Sequence, residues 1–212
     1  MPDRTQRIVI VDLGVGNIRS VAHSLSVLGA TPLITADPKE IEGADRVILP
    51  GVGAFGEYKH QLDAKGLTEV LTREVRERGK PMMGICLGMQ VLGSVSEELG
   101  EFNGLGWIPG RVKRLSVEVA PHLRVPHMGW NSLRVARETP VLDGITADSM
   151  FYFVHSYALH PDDRRDVVAE CEHGVVFCAA VRRDNIVATQ FHPEKSQRDG
   201  LALLDRFLKW KP

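Results

Sequence analysis

The chain has 212 residues, 43% of them hydrophobic and 25% charged, which is the length of one ordinary domain and enough apolar side chain for a sizeable core. A formal net charge of -1 and a pI near 6.7 give no general attraction to nucleic acid or to an anionic membrane surface. Three cysteines, Cys86, Cys171 and Cys178, make neither an even disulfide framework nor a C-x-x-C metal pair, and they point to a reducing, cytoplasmic setting.

From the N-terminus, a polar lead runs into only four strongly apolar residues, Ile8 to Val11, too few for a signal-peptide core or a membrane span. Strand patterns at residues 7–12, 32–35, 46–49 and 81–85 alternate with helical patterns near 18–29, 56–78 and 87–98. Such alternation means a parallel sheet covered on both faces. After Gly100 the texture changes to short strand candidates near 112–116, 149–158, 166–171, 175–180 and 186–190, closed by a helix from about 198 to 210. The expected fold is therefore α/β: a doubly wound, mostly parallel sheet flanked by helices, with additional antiparallel strands in the C-terminal half. Residues 1–212 are expected to form a single domain, without repeats, low-complexity segments or an obvious linker. In such sheets ligands collect beyond the carboxyl ends of the strands, where the turns at Gly14, Gly51 and Cys86 fall.

Three of these turns carry chemistry. Cys86 sits in Gly84-Ile85-Cys86-Leu87-Gly88, between an apolar strand and a helical pattern, as a nucleophile on a sharp strand-to-helix turn does. Flanking glycines permit the strained backbone and close approach of such a turn, and the dipole of the following helix would favour a thiolate. Far downstream, Gln190-Phe191-His192-Pro193-Glu194-Lys195-Ser196 places His192 and Glu194 at i and i+2 of a segment that Pro193 keeps extended, so both point to one side. A cysteine nucleophile needs a base for its proton and a carboxylate to orient the imidazole, and this pair supplies both. Attack on a carbonyl also needs N–H donors for the oxyanion. Leu87, after the nucleophile, and Val52 and Gly53 in the Pro50-Gly51-Val52-Gly53 turn fit that task. Finally, Gln90 and Glu98 lie eight residues apart on the expected helix, share a face, and together suit the amino-acid end of a substrate. Glu97 is near the same face, and spacing does not choose between the two glutamates.

Taken together, Gly-Ile-Cys-Leu-Gly-Met-Gln, His-Pro-Glu-Lys-Ser and Pro-Gly-Val-Gly-Ala-Phe-Gly make the chain resemble the class I (triad) glutamine amidotransferases. Within that family it is similar to the glutaminase subunits of imidazole glycerol phosphate synthases, in histidine biosynthesis. The markers are the segments Val11 to Asn17, Pro126 to Asn131 and Phe151 to Tyr157, with Leu13 standing where an aromatic residue is frequent. The resemblance implies that glutamine is hydrolysed by Cys86, His192 and Glu194, without cofactor or metal. It favours Glu98 over Glu97 at the substrate and assigns backbone groups of Ser156 and Tyr157 to the substrate carboxylate. It also implies a heterodimer with a (β/α)8-barrel cyclase that receives the ammonia, with Trp130 in a Gly-Trp-Asn turn, Tyr152 and Lys195 against that partner.

Rival readings are another amidotransferase partner, a thiol peptidase and a non-catalytic binding module of the same fold. A dinucleotide site at Gly14-Val15-Gly16 fails because Arg19 stands where the third glycine would. Metal binding fails because His122 and His127 lack helical spacing and accompanying carboxylates; His122 and His173 read as solvated or hydrogen-bonded side chains.

Overall fold

The computed structural model describes residues 6–14, 16–116 and 123–212. Its N-terminal half runs β1 (Ile8–Val11), α1 (Ile18–Val27), β2 (Leu33–Thr35), α2 (Pro38–Glu42), β3 (Arg46–Gly51), α3 (Phe55–Ala64), α4 (Leu67–Leu71), β4 (Met82–Cys86) and α5 (Leu87–Gln90). There follow β5 (Val95–Ser96), β6 (Phe102–Asn103), β7 (Gly110–Arg114), β8 (His127–Ser132), β9 (Arg134–Val135), β10 (Met150–His155), β11 (Tyr157–Pro161), β12 (Val167–His173), β13 (Val175–Arg183), β14 (Ile186–Thr189) and α6 (Gln197–Lys209).

The main sheet has eight strands in the order β2-β1-β3-β4-β14-β13-β12-β9. The strands from β2 through β14 are parallel, and β14, β13, β12 and β9 are antiparallel neighbours. This is the expected α/β architecture with its antiparallel C-terminal addition. Strand periodicity divides the core in two. Ile8, Ile10, Ile48, Met83, Ile85 and Val187 pack on one face under α1 and α6, whereas Val9, Val11, Val47, Leu49, Met82 and Ala188 pack on the other under α3 and α4. Alternating side chains point to opposite faces, so strands buried on both sides read as continuous apolar runs. Leu13 is buried in the second of these cores, so an aliphatic side chain fills that position.

Several expected elements are corrected. The helical pattern over 56–78 breaks at Gly66, whose φ of 66° begins α4, and the chain then continues as a π-helical stretch at Thr72–Glu77. The strand expected at 149–158 splits at Ser156, because β10 pairs with β8 while β11 pairs with β7 in a separate four-stranded sheet. Gly129-Trp130-Asn131 is strand, not turn, held by six paired positions against β10. Most consequential, the helix expected over 87–98 is the single turn α5. Leu92 and Gly93 donate to carbonyls three residues back, at Met89 and Gln90, and Gly93-Ser94 then lead into β5 between β6 and β7. A Cβ at Gly93 would stand 2.8 Å from Leu159 Cδ1 and 3.1 Å from the Gln90 oxygen, so a side chain here would need Leu159 to shift.

Candidate active site

Three parallel neighbours, β3, β4 and β14, finish side by side. Gly51 ends β3 directly opposite Cys86 at the end of β4, and Thr189 of β14 lies opposite Ile85. The Gly51–Gly53 turn, the Cys86 turn and the 190–194 segment therefore converge at the carboxyl edge of the sheet, where open α/β sheets bind ligands.

Cys86 occupies φ 55°, ψ -109°, a conformation that costs a non-glycine residue about 1–3 kcal/mol and persists only when its surroundings enforce it. They do. A Cβ on Gly88 would collide with the Leu49 carbonyl oxygen, one on Gly84 would lie 2.7 Å from the Gly88 oxygen, and one on Gly51 would lie 2.9 Å from the Gly88 nitrogen. The helix dipole expected at the sulfur is replaced by this packing: α5 has four residues, too short for a substantial macrodipole. What the turn does supply is the Leu87 N–H at its head, which lacks an intrahelical acceptor.

A cavity of about 210 Å3 opens over the sulfur, lined by residues that include Val52, Gly53, Cys86, Leu87, Gln90, Glu98, Ser156, Tyr157 and His192. At ~30 Å3 per water it holds the equivalent of about seven waters, room for one small polar molecule. Of the expected residues, Cys86, His192, the oxyanion candidates and the substrate candidates meet here. Glu194 stands one layer behind, and Trp130, Tyr152 and Lys195 lie elsewhere on the surface.

His192 Nδ1 lies 2.8 Å from Glu194 Oε1, with both side chains buried. Nδ1 thus carries a hydrogen, and Nε2 faces the cavity side without a hydrogen-bond partner among the described residues. Burial works against a charge on His192, but Cys86 and Glu194 outweigh it and raise the group from 6.5 to about 10. Both neighbours thus favour the cationic imidazole. Asn17, in the marker segment near the N-terminus, donates to the same Glu194 oxygen at 3.3 Å. Ser196, also missed in the sequence, accepts from the Tyr152 N–H at 3.0 Å and donates to the His192 carbonyl at 2.6 Å. Both are short polar side chains beside a motif, a signal too common to single out.

Gln90 and Glu98 reach the cavity from different elements, contrary to the shared helix expected for them. Glu98 Oε2 accepts the Phe55 N–H at 2.8 Å at the start of α3. Glu97 is turned outward to Arg111, 3.0 Å from its Nε. Gln90 Nε2 donates to the Tyr157 carbonyl at 2.9 Å and to Gln190 Oε1 at 3.0 Å, which leaves Oε1 as its acceptor toward a ligand. The Ser156 carbonyl is likewise committed, accepting the Leu115 N–H at 2.8 Å.

Behind Tyr157 stands a pair of histidines. His155 Nδ1 donates to the Tyr157 carbonyl at 2.9 Å, and His127 Nδ1 lies 3.2 Å from His155 Nε2. Since a carbonyl only accepts, His155 carries its hydrogen on Nδ1 and accepts through Nε2, so His127 is the donor. Asn131 Nδ2 then stands 3.4 Å from His127 Nε2, which completes the chain. Desolvation, foremost, lowers His127 to about 3 and His155 to about 4, so both are neutral. His173 stacks on His127 at 4.2 Å and meets the Arg124 carbonyl at 2.9 Å, a hydrogen-bonded histidine as expected; His122 lies outside the described residues. Among the described residues no group of His, Cys, Asp and Glu is placed to hold a metal ion, and no helix is long and apolar enough to cross a membrane.

Residues 9–210 match the family model described as glutamine amidotransferase class-I. The chain is 47% identical over 203 residues to the imidazole glycerol phosphate synthase subunit HisH of Syntrophotalea carbinolica, covering 94% of this chain and 98% of that protein. It is 46% identical over 208 residues to the same-named subunit of Geobacter sulfurreducens, covering 97% and 99%. Among solved structures it is similar to PurLQS from Thermotoga maritima, with a TM-score of 0.73 at 20% identity over 96% of this chain and 98% of that one. A glutamine amidotransferase crystal structure aligns with a TM-score of 0.70 at 22% identity, covering 95% and 97%.

The neutral histidine pair sets a pH dependence. Both folded-state values lie below the ordinary 6.5, so the unfolded chain binds more protons below that pH. The pair's stabilisation is full above about pH 6.5 and is lost as the pH falls toward 4. The melting temperature is expected to drop over that window, with a slope of up to about 1.4 kcal/mol per pH unit for each histidine, and His127→Gln should flatten it. An unchanged slope in His127→Gln contradicts the assignment.

Proposed function

The chain belongs to the class I glutamine amidotransferase family, and from that premise we propose that it is the glutaminase subunit of an imidazole glycerol phosphate synthase. In this reading it hydrolyses glutamine and passes ammonia to a cyclase partner in histidine biosynthesis. The observation that carries the chemistry is the buried His192–Glu194 pair at 2.8 Å, beside a strained cysteine that shares its cavity with His192.

The polar groups of the cavity suit the two ends of glutamine. Gln90 Oε1 and the Glu98 carboxylate are acceptors and fit the α-ammonium. With the Ser156 and Tyr157 carbonyls committed internally, the backbone N–H groups of those two residues are what remains to hold the α-carboxylate, which only donors can do. The Cys86 sulfur, its proton held by His192, attacks the carboxamide carbon. The Leu87 N–H and N–H groups of the Val52–Gly53 turn donate to the oxyanion. His192 gives its proton to the departing nitrogen as the C–N bond breaks, releasing ammonia and leaving a thioester. His192 then takes a proton from water, whose oxygen attacks the thioester, and glutamate leaves as the sulfur recovers its electron pair. Glu194, steadied by Asn17, holds the imidazole in the tautomer that each step needs.

Ammonia in bulk water at neutral pH is protonated and lost to the acceptor reaction, so the product requires a docked partner. A (β/α)8-barrel cyclase in a heterodimer with this chain, in the cytoplasm, meets that need. The surface that fits it lies behind His192: Trp130, 44% exposed, meets Tyr152 edge-on at 5.9 Å, and Lys195 stands over the Tyr152 ring at 5.5 Å. Exposed Met128 and Met150 extend this apolar patch. The patch connects to the chemistry through the backbone, since the Tyr152 carbonyl accepts the His192 N–H at 2.9 Å. A partner pressing on Tyr152 and Lys195 thereby acts on the segment that carries the base. The glycine turn at the oxyanion site offers a second lever, because Gly53 adopts φ 100° with open space around it.

Replacing Cys86 or His192 by Ala is expected to lower glutaminase turnover at least about a thousandfold, and Glu194→Ala less, while the complex still forms product from added ammonium salt. Glutaminase activity persisting in Cys86→Ala sinks the assignment. At the partner face, Trp130→Ala and Lys195→Ala are expected to leave the isolated chain's melting temperature nearly unchanged and to weaken association by roughly 2 kcal/mol or more. They should also loosen the coupling of glutaminase turnover to the cyclase's ligand. A Trp130→Ala chain that unfolds alone yet binds and couples normally when folded contradicts the interface.

A further inference from the structure

The catalytic assignment leaves one buried amide beside the reactive sulfur without a role. Gln190 is fully buried, directly follows β14, and is pinned to β13 by its N–H to the Ala179 carbonyl at 2.8 Å. Its Nε2 lies 3.6 Å from Cys86 Sγ, within donor range of an atom as large as sulfur. Gln190 and His192 lie two residues apart in the bend that follows β14, so both come from the same short stretch of chain.

Hydrogen-bond logic fixes which end of each amide faces which neighbour. The Tyr157 carbonyl only accepts, so the Gln90 nitrogen must face it, 2.9 Å away. The second hydrogen of that nitrogen meets Gln190 at 3.0 Å, so Gln190 turns its oxygen there. Its own nitrogen then faces the sulfur. Flipping Gln90 sets oxygen against oxygen, and flipping Gln190 alone sets N–H against N–H. The chain of donors has one self-consistent direction, and it ends in an N–H aimed at Cys86.

We propose that Gln190 is a further catalytic residue of this hydrolysis, its side-chain N–H donating to Cys86 Sγ. A hydrogen bond to an ionised acceptor is stronger than one to its neutral form. The donor therefore favours the thiolate before attack, is weakened while the sulfur's electron pair forms the C–S bond, and strengthens again as that pair returns on thioester breakdown. This rests on Cys86 as the nucleophile, but it is tested at the sulfur itself, without glutamine or partner.

The test is the rate at which the full-length chain is alkylated by iodoacetamide at pH 7. Burial pushes the Cys171 thiol up to about 12 and Cys178 higher still, so labelling reports Cys86 and should vanish in Cys86→Ala. Gln190→Met, which removes the donor, is expected to slow alkylation roughly tenfold or more, the scale of a lost hydrogen bond to a charged group. In complex with the cyclase it should lower kcat by a similar factor. Gln90→Met removes the donor that turns the Gln190 oxygen away from the sulfur, so it is expected to raise KM and also to slow alkylation, by less than Gln190→Met. If Gln190→Met does not fold, Gln190→Glu decides: it keeps an acceptor for Gln90 but, ionised, presents the sulfur with an oxygen, and alkylation should again slow. Wild-type alkylation in the folded variant overturns the proposal. Full glutaminase activity in Cys86→Ala would instead overturn the functional reading on which it stands.

Discussion

At Cys86 the backbone is forced into a conformation that a cysteine does not choose, and the arrangement of the site follows from how that is enforced. The corner of β4 and α5 is pressed against β3 so closely that Gly51, Gly84 and Gly88 leave no room for a Cβ. A single turn of helix cannot hold a strained residue by its own hydrogen bonds. Three neighbouring strand ends can, because β3, β4 and β14 are each fixed by ladders on both sides and by cores above and below. The Gly51–Gly53 turn, the sulfur and the 190–194 segment are placed by one sheet edge.

The polar side chains around that corner are buried in ordered chains. Asn17 bears on Glu194, Glu194 on His192, and Ser196 on the His192 backbone. On the other flank, Gln90 and Gln190 hand hydrogen bonds from the Tyr157 carbonyl toward the sulfur, while the neutral His127–His155 pair supports the same carbonyl from outside. A buried network stabilises and specifies only when every member is satisfied. Here the exceptions are informative: His192 Nε2 and Glu194 Oε2 lack partners among the described residues. In the proposed reaction, Nε2 is the atom that meets the substrate. The unpaired Glu194 oxygen keeps negative charge close to the imidazole and favours its charged form.

Much of this was legible from local chemistry. Apolar runs bounded by Gly and Pro marked the parallel strands, and the Gly-x-Cys-x-Gly segment carries constraints that can be read residue by residue. Pro193 does keep His192 extended, but Pro193–Lys195 form a 3-10 turn, so Glu194 meets His192 through that turn and not through the alternation of the extended segment expected there. Helix length was not legible beyond Cys86. Leu87, Val91 and Leu92 continue a helical spacing, but the chain turns at Gly93 and Ser94 then bonds to Gly110 and Gly104, pairings distant in sequence. Gln90 and Glu98 nevertheless reach one cavity, because Glu98, beyond β5, is held at the head of α3 by the Phe55 N–H. The pairing of β8 with β10 was hidden for a related reason: His127 and Trp130 are buried and exposed members of one strand, and only the register shows which face each takes. Asn17, Ser196 and Gln190 act through contacts distant in sequence or through backbone atoms, which spacing within a motif does not reveal.

The central claim is that this sheet edge presents one activated cysteine to a glutamine-shaped cavity. The most direct measurement is mass-spectrometric mapping of the chain, with its partner, after exposure to an electrophilic glutamine analogue. The account predicts one adduct, on Cys86, suppressed by excess glutamine. An unmodified Cys86, or an adduct on Cys171 or Cys178 that glutamine does not suppress, would contradict it.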